Sequence, residues 1–216
     1  MVGTTEAYIA QVLLETEAVM IRPTQPFTYA SGMKSPIYCD NRRVLSFPDK
    51  RQIVVHRFLE TIEREGITYD VIAGVATAGI PWASIIADRL DAPLIYVRDK
   101  AKGHGKENQI EGKLEPGQRA LVIEDHISTG GSSIKAIEAV RNAGGIVEYC
   151  LAITTYEMSS AQEAFEAAQC KLYTQTRLQD LVREAIRLER MSENQRATID
   201  DWKQDQAGWA ARHGFE

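Results

Sequence analysis

The feature that most restricts the fold is the run Ala120-Leu121-Val122-Ile123-Glu124-Asp125-His126-Ile127-Ser128-Thr129-Gly130-Gly131-Ser132-Ser133, an apolar strand that meets two adjacent carboxylates and turns through small residues into a helix. Strand, short turn and helix in that order are the unit of a parallel sheet covered by helices. The surrounding chain repeats the unit: apolar runs at 71–75, 93–97, 120–124 and 146–154 alternate with amphipathic stretches at 80–90, 132–142 and 159–168. An α/β fold is therefore expected, a central parallel sheet flanked by helices. An edge strand at 172–174, helices at 178–190 and around Trp202, and a loosely held end from about residue 208 complete it.

Before this alternation, Ile9, Val12, Leu13, Ala18 and Val19 recur at helical spacing behind Thr4 and Thr5, in a helix that ends before Pro23. Residues 23–43, rich in Pro, Ser, Gly, Tyr and Asn, read as loop with short extended runs. Pro48 then opens a helix to about Arg64, with Ile53, Val54, Phe58, Leu59 and Ile62 facing inward. The polar stretch at 98–117, holding Gly103, Gly105 and Gly112, has the length and character of a functional lid. No repeat or low-complexity linker divides the chain, so residues 1–216 read as one domain.

Charge narrows the partners. Lys and Arg number 25 against 30 Asp and Glu, a net charge of −5, which lacks the basic surface that nucleic-acid binding uses. No apolar run reaches the ~18 residues of a membrane helix. The first twenty residues hold Glu6, Glu15 and Glu17 and no Lys or Arg, unlike a secretory signal. A cytoplasmic protein bound to neither nucleic acid nor membrane is expected. Cys39, Cys150 and Cys170 are widely spaced and read as reduced thiols.

The run after Ile123 has a chemical use. Small residues allow consecutive N–H groups and hydroxyls to converge on a phosphate, and a helix start adds partial positive charge. Adjacent carboxylates suit the vicinal hydroxyls of a ribose, which donate to them. Together these features describe a ribose 5-phosphate site. The triphosphate signature G-x-x-x-x-G-K-[ST] is absent, and Gly103-His104-Gly105 leads to Asn108 where a dinucleotide fingerprint needs Gly.

Ile123-Glu124-Asp125 through Ser132 resembles the phosphoribosyl-diphosphate (PRPP) motif of type I phosphoribosyltransferases. Phe27 through Arg42 resembles the N-terminal hood of the orotate phosphoribosyltransferases, spanning about residues 20–45 here. Ala73-Gly74-Val75-Ala76-Thr77-Ala78-Gly79-Ile80-Pro81 resembles their pyrophosphate loop, and Tyr96 through Gly105, continued by Ile110-Glu111-Gly112, their mobile catalytic loop. The resemblance implies the type I phosphoribosyltransferase fold and transfer of ribosyl 5-phosphate from PRPP to N1 of orotate, giving orotidine 5′-phosphate and pyrophosphate in pyrimidine synthesis. It implies PRPP contacts from Arg98, Lys102, His104, Glu124, Asp125, Ile127, Ser128, Thr129, Gly130, Gly131 and Ser132, with Lys102, His104 and Asp125 catalytic. Ser128, Tyr38 and Cys39 would read orotate. It further implies Mg2+ held mainly by substrate, with no dedicated protein cage, and a homodimer in which the loop reaches the neighbouring site.

The chain departs from the family pattern in places. Many members carry lysines at the positions of Ala30, Ala78 and Asp99; Lys34 and Lys100 lie close enough in sequence to compensate. The arginine that some members direct at the orotate carboxylate has no counterpart among Ile153-Thr154-Thr155-Tyr156. His126 stands at a usually apolar position, where it packs or tunes Asp125. Two alternatives share the PRPP motif: a phosphoribosyltransferase for another base, and a non-catalytic regulator that binds PRPP or a nucleotide.

Overall fold

The structure is a computed structural model that describes residues 5–29, 31–99 and 109–215. The chain divides into two compact units, Arg51–Gln175 and the pair of segments Met1–Lys50 and Thr176–Glu216.

The first of these is built on β5 (Val71–Val75), β6 (Leu94–Val97), β7 (Ile110–Glu111), β8 (Ala120–Ile127), β9 (Tyr149–Thr155) and β10 (Lys171–Arg177), whose last two residues enter the other unit. They form one six-stranded sheet in the order β10-β9-β8-β5-β6-β7. Strands β6, β5, β8 and β9 are mutually parallel and β7 is antiparallel to β6. Every residue of β5 is buried, as expected of a central strand covered on both faces. Helices α3 (Gly79–Leu90), α4 (Gly131–Asn142) and α5 (Ser159–Ala167) carry the crossovers. Ile137 and Val140 of α4 and Phe165 of α5 join Ala73, Val122 and Ala152 in one core. Burial of such a side chain contributes ~1.5–3 kcal/mol.

Two glycines set the distance between helix and strand. A Cβ on Gly74 would stand 2.9 Å from Ala83 Cβ, and one on Gly79 would stand 2.5 Å from the Ile123 carbonyl oxygen. The start of α3 thus lies against β8 immediately before Glu124, with no room for a larger residue.

The second unit holds α1 (Thr5–Glu15), antiparallel pairs β1 (Val19–Ile21) with β4 (Ile37–Cys39) and β2 (Phe27–Thr28) with β3 (Lys34–Ser35), a short 3-10 helix (Asn41–Ser46), the first residues of α2 (Pro48–Arg64), and α6 (Leu178–Arg187), α7 (Arg196–Gln204) and α8 (Gln206–Arg212). The apolar face of α1, with Ile9 and Leu13 fully buried, packs on α6.

Several expected boundaries move. The first helix stops at Glu15, and Ala18 and Val19 lie beyond it, because Glu17 takes φ 54° and Val19 pairs with Cys39 in β1. The strand expected at 120–124 continues to Ile127, since His126 and Ile127 keep their ladder to Thr154 and Thr155. The C-terminal end is not loose: Asp205 caps α8 by accepting from Gly208 N, and Trp209 is fully buried with its indole N–H donating to the Thr198 carbonyl at 2.9 Å.

Candidate active site

The turn from β8 into α4 places the two acids and the small residues at the carboxyl end of the parallel strands, where open α/β sheets bind ligands. Gly130 takes φ 83°, and a Cβ there would lie 3.4 Å from Phe165 Cε2 and 3.5 Å from Ala161 Cα. This tight left-handed turn, seated on α5, leaves Thr129, Gly131 and Ser132 exposed at the start of the helix, open to an anion. Ile127 differs from its neighbours. Its side chain is buried in the core and its backbone belongs to the ladder with β9, its carbonyl accepting from Tyr156 N.

Glu124 is 6% exposed. Its carboxyl accepts from Asp125 N at 2.9 Å and from Ser133 Oγ at 3.3 Å, and no cation neutralises it among the described residues. Burial and the negative charge of Asp125 push its pKa up to about 9. At neutral pH the unliganded pair therefore holds a proton on Glu124, beside an open phosphate cradle. Ser133 was not among the candidate residues. It lies one position past the assumed end of the cradle, where the helical turn brings its hydroxyl back to the strand.

The turn after β5 reaches the same region, with Ala76 N donating to the Val97 carbonyl and a cis peptide between Ala76 and Thr77. Arg98 follows β6. Its guanidinium lies 3.3 Å from Glu111 and its N–H donates to the Gln109 carbonyl, while Gln109 Nε2 donates to the carbonyls of Arg98 and Asp99. The short strand β7, inside the stretch expected to be all loop, ties residues 109–111 to β6. Arg98 and Ser132 border one cleft. Lys102 and His104, with Ala30 and Lys100, lie outside the described residues.

His126 is held by a 2.8 Å hydrogen bond between Nδ1 and Thr154 Oγ1 and by edge contact with the Tyr156 ring at 4.2 Å. Burial depresses its pKa to about 4. A neutral imidazole packs there, and at neutral pH it brings no positive charge to Asp125.

Tyr38 and Cys39 belong to β4 in the other unit. The Tyr38 ring lies 5.6 Å from Phe27 and 6.4 Å from Tyr29, whose hydroxyl donates to the Ile37 carbonyl. Lys34 donates to Thr28 Oγ1 across the β2–β3 pair. The structure thus brings together Arg98, Glu124, Asp125 and residues 127–132 within one unit. Among the described residues, no group of three or more His, Cys, Asp or Glu side chains is placed to hold a metal, and no helix is long and apolar enough to cross a membrane. The three cysteines form no disulfide.

Comparison with known proteins agrees with this geometry. The phosphoribosyl transferase domain family matches residues 48–166. An orotate phosphoribosyltransferase of Listeria innocua is 47% identical over 204 residues, covering 94% of this chain and 98% of that protein. The crystal structure of orotate phosphoribosyltransferase from Aeropyrum pernix superposes with a TM-score of 0.74 at 32% identity, covering 85% of this chain and 99% of that one. UMP synthase of Leishmania donovani superposes with a TM-score of 0.77 at 26% identity; 94% of this chain is covered but only 42% of that longer one. The strand-end acids, the cradle and this kinship lead to one conclusion: the chain belongs to the orotate phosphoribosyltransferase family.

Proposed function

We infer that the chain transfers the ribosyl 5-phosphate of PRPP to N1 of orotate, releasing pyrophosphate, as a step of pyrimidine synthesis. The observation that carries the reading is the buried Glu124, without a cation and next to Asp125, directly before an open phosphate cradle.

The 5′-phosphate rests on the backbone N–H groups and hydroxyls of Ile127 to Ser132, and the ribose hydroxyls donate to Glu124 and Asp125. Donation from two hydroxyls favours the ionised form of the pair, opposing the burial and the Asp125 charge that raise the Glu124 pKa. The C1′–O bond to the diphosphate breaks as N1 of orotate approaches, and charge collects on the leaving group. Arg98, Lys102 and His104 stabilise that charge, and loop closure keeps water from the electrophilic ribose. Ser128, Tyr38 and Cys39 read the base. A divalent cation, Mg2+, would be held mainly by the substrate beside Glu124 and Asp125, where it would screen the charge of the diphosphate. We place the protein in the cytoplasm, as a homodimer that exchanges catalytic loops.

Orotate consumption, followed by its ultraviolet absorbance with PRPP and Mg2+, tests the activity. Turnover of orotate but not of adenine, guanine, hypoxanthine or uracil is expected, abolished in Lys102→Ala. PRPP binding without consumption of any base would instead support a regulator. Loop exchange is tested by mixing Lys102→Ala with Asp125→Asn. Recovery toward about a quarter of wild-type activity is expected from statistical heterodimers, and no recovery would refute the exchange.

A further inference from the structure

We propose that Lys135 is a fixed cation of the diphosphate subsite, contacting the leaving pyrophosphate of PRPP from α4. This rests on the transferase reading above and adds a binding residue to that site. Lys135 borders the cleft between the turn after β5, the end of β6 and the first turns of α4, together with Ala76, Arg98, Asp99 and Ser132. The cleft is open to solvent, and its floor is Val97 and Ala136. Ser132 and Lys135 are three residues apart and share one face of α4, so the ammonium and a cradle hydroxyl open onto the same space.

Electrostatics gives that ammonium a use. Lys34, Lys50, Lys113 and Lys171 are bound to Thr28, Glu15, Glu115 and Glu65, and Lys203 is also engaged. Lys135 has no hydrogen-bond or ion-pair partner among the described residues and stands exposed at the mouth of the cleft. Across it, Arg98 is shared with Glu111, and Asp99 adds negative charge at the edge of a site that must receive a polyanion. An uncommitted cation on a helix offsets that field.

The test measures pyrophosphate and ribose 5-phosphate binding separately, by calorimetry, with steady-state kinetics alongside. A charge-assisted contact at an exposed site predicts about a tenfold loss of pyrophosphate affinity in Lys135→Ala, equal to ~1.4 kcal/mol. The KM for PRPP should rise comparably, with kcat, the KM for orotate and ribose 5-phosphate binding within twofold of wild type. Lys135→Arg should restore most of the loss. Lys171→Ala, which removes the same charge from β10 and away from the cleft, should bind like wild type. Unchanged pyrophosphate affinity in Lys135→Ala would overturn the proposal, as would a loss confined to ribose 5-phosphate, or an equal loss in Lys171→Ala. Wild-type orotate turnover with unchanged Lys135→Ala would sink this assignment alone. Absent orotate turnover with weakened pyrophosphate binding would sink the transferase reading and leave Lys135 in place.

Discussion

Glu124 and Asp180 are both buried carboxylates, 6% and 2% exposed, yet their surroundings oppose each other. Asp180, in the first turn of α6, receives Arg177 at 3.1 Å and Arg183 at 3.3 Å; on the next turn Glu184 receives Arg187 at 2.9 Å. These acids are neutralised inside the folded chain. Glu124 has a serine hydroxyl, a backbone N–H and a second acid instead. A buried carboxylate with its cations in place holds a helix, whereas one facing another acid at a strand end is completed by a ligand.

The sharpest way to break that contrast is Glu124→Gln. Loss of a charge-assisted contact to ribose is worth up to ~3 kcal/mol, so kcat/KM for PRPP should fall about 100-fold. Stability should move the other way. With its folded pKa raised from 4.5 to about 9, Glu124 favours the folded state fully below pH 4.5 and loses that contribution as pH climbs through 9. Free wild type should therefore weaken from pH 5 to 9 while Glu124→Gln stays flatter in thermal unfolding. A variant that kept activity, or melted earlier at pH 8, would make Glu124 a structural acid like Asp180.

His126 adds a further ionisable group in a packed setting, this one with neither counter-charge nor ligand. Its folded pKa near 4 lies below the unfolded 6.5, so stability is intact above pH 6.5 and declines as pH falls through 4. The shift predicts a loss of up to ~3 kcal/mol over that window. In His126→Leu this decline should vanish from denaturant midpoints measured at pH 7, 5 and 4. An unchanged decline would assign the acid sensitivity to the carboxylates instead.

The same contrast explains what could be seen in advance. Apolar alternation marked β5, β6, α3, α4 and the sheet that carries the site, because their burial imposes a period. It failed where polar residues do structural work. Glu124, Asp125 and His126 hid the continuation of β8, whose ladder to β9 is a backbone property. Lys171–Arg177 is mostly polar and reads as a strand only at its centre, since an edge strand is held by one neighbour. The acid pair and cradle were legible as local chemistry, and Arg98 by its place after β6. The proton on Glu124 and the contact from Ser133 depend on burial and on a helical turn folding back, which no linear pattern encodes. The caps of α8 and the burial of Trp209 belong to the same class.

On the α6 side, Asp180→Ala should lower stability by ~1–2 kcal/mol, because the lost hydrogen bonds are buried at the acid even though the arginines reach water. Unfolding in urea measures this, and kcat/KM for PRPP and orotate should stay within twofold. A tenfold loss of activity at unchanged stability would place α6 in the machinery and erase the distinction from Glu124.

Arg187→Gln probes the weakest link of the comparison. The Arg187 side chain is 58% exposed, so its attraction to Glu184 is screened, and glutamine can still donate one hydrogen bond to the buried acid. A loss below ~1 kcal/mol is expected, shrinking further in 1 M salt. Glu184 is 4% exposed and Glu124 6%, so burial does not separate the two acids; the half-exposed cation beside Glu184 does. A loss above ~3 kcal/mol, insensitive to salt, would show that Glu184 depends on its cation as a fully buried charge does. The two acids would then differ only in whether protein or substrate supplies the compensating contact.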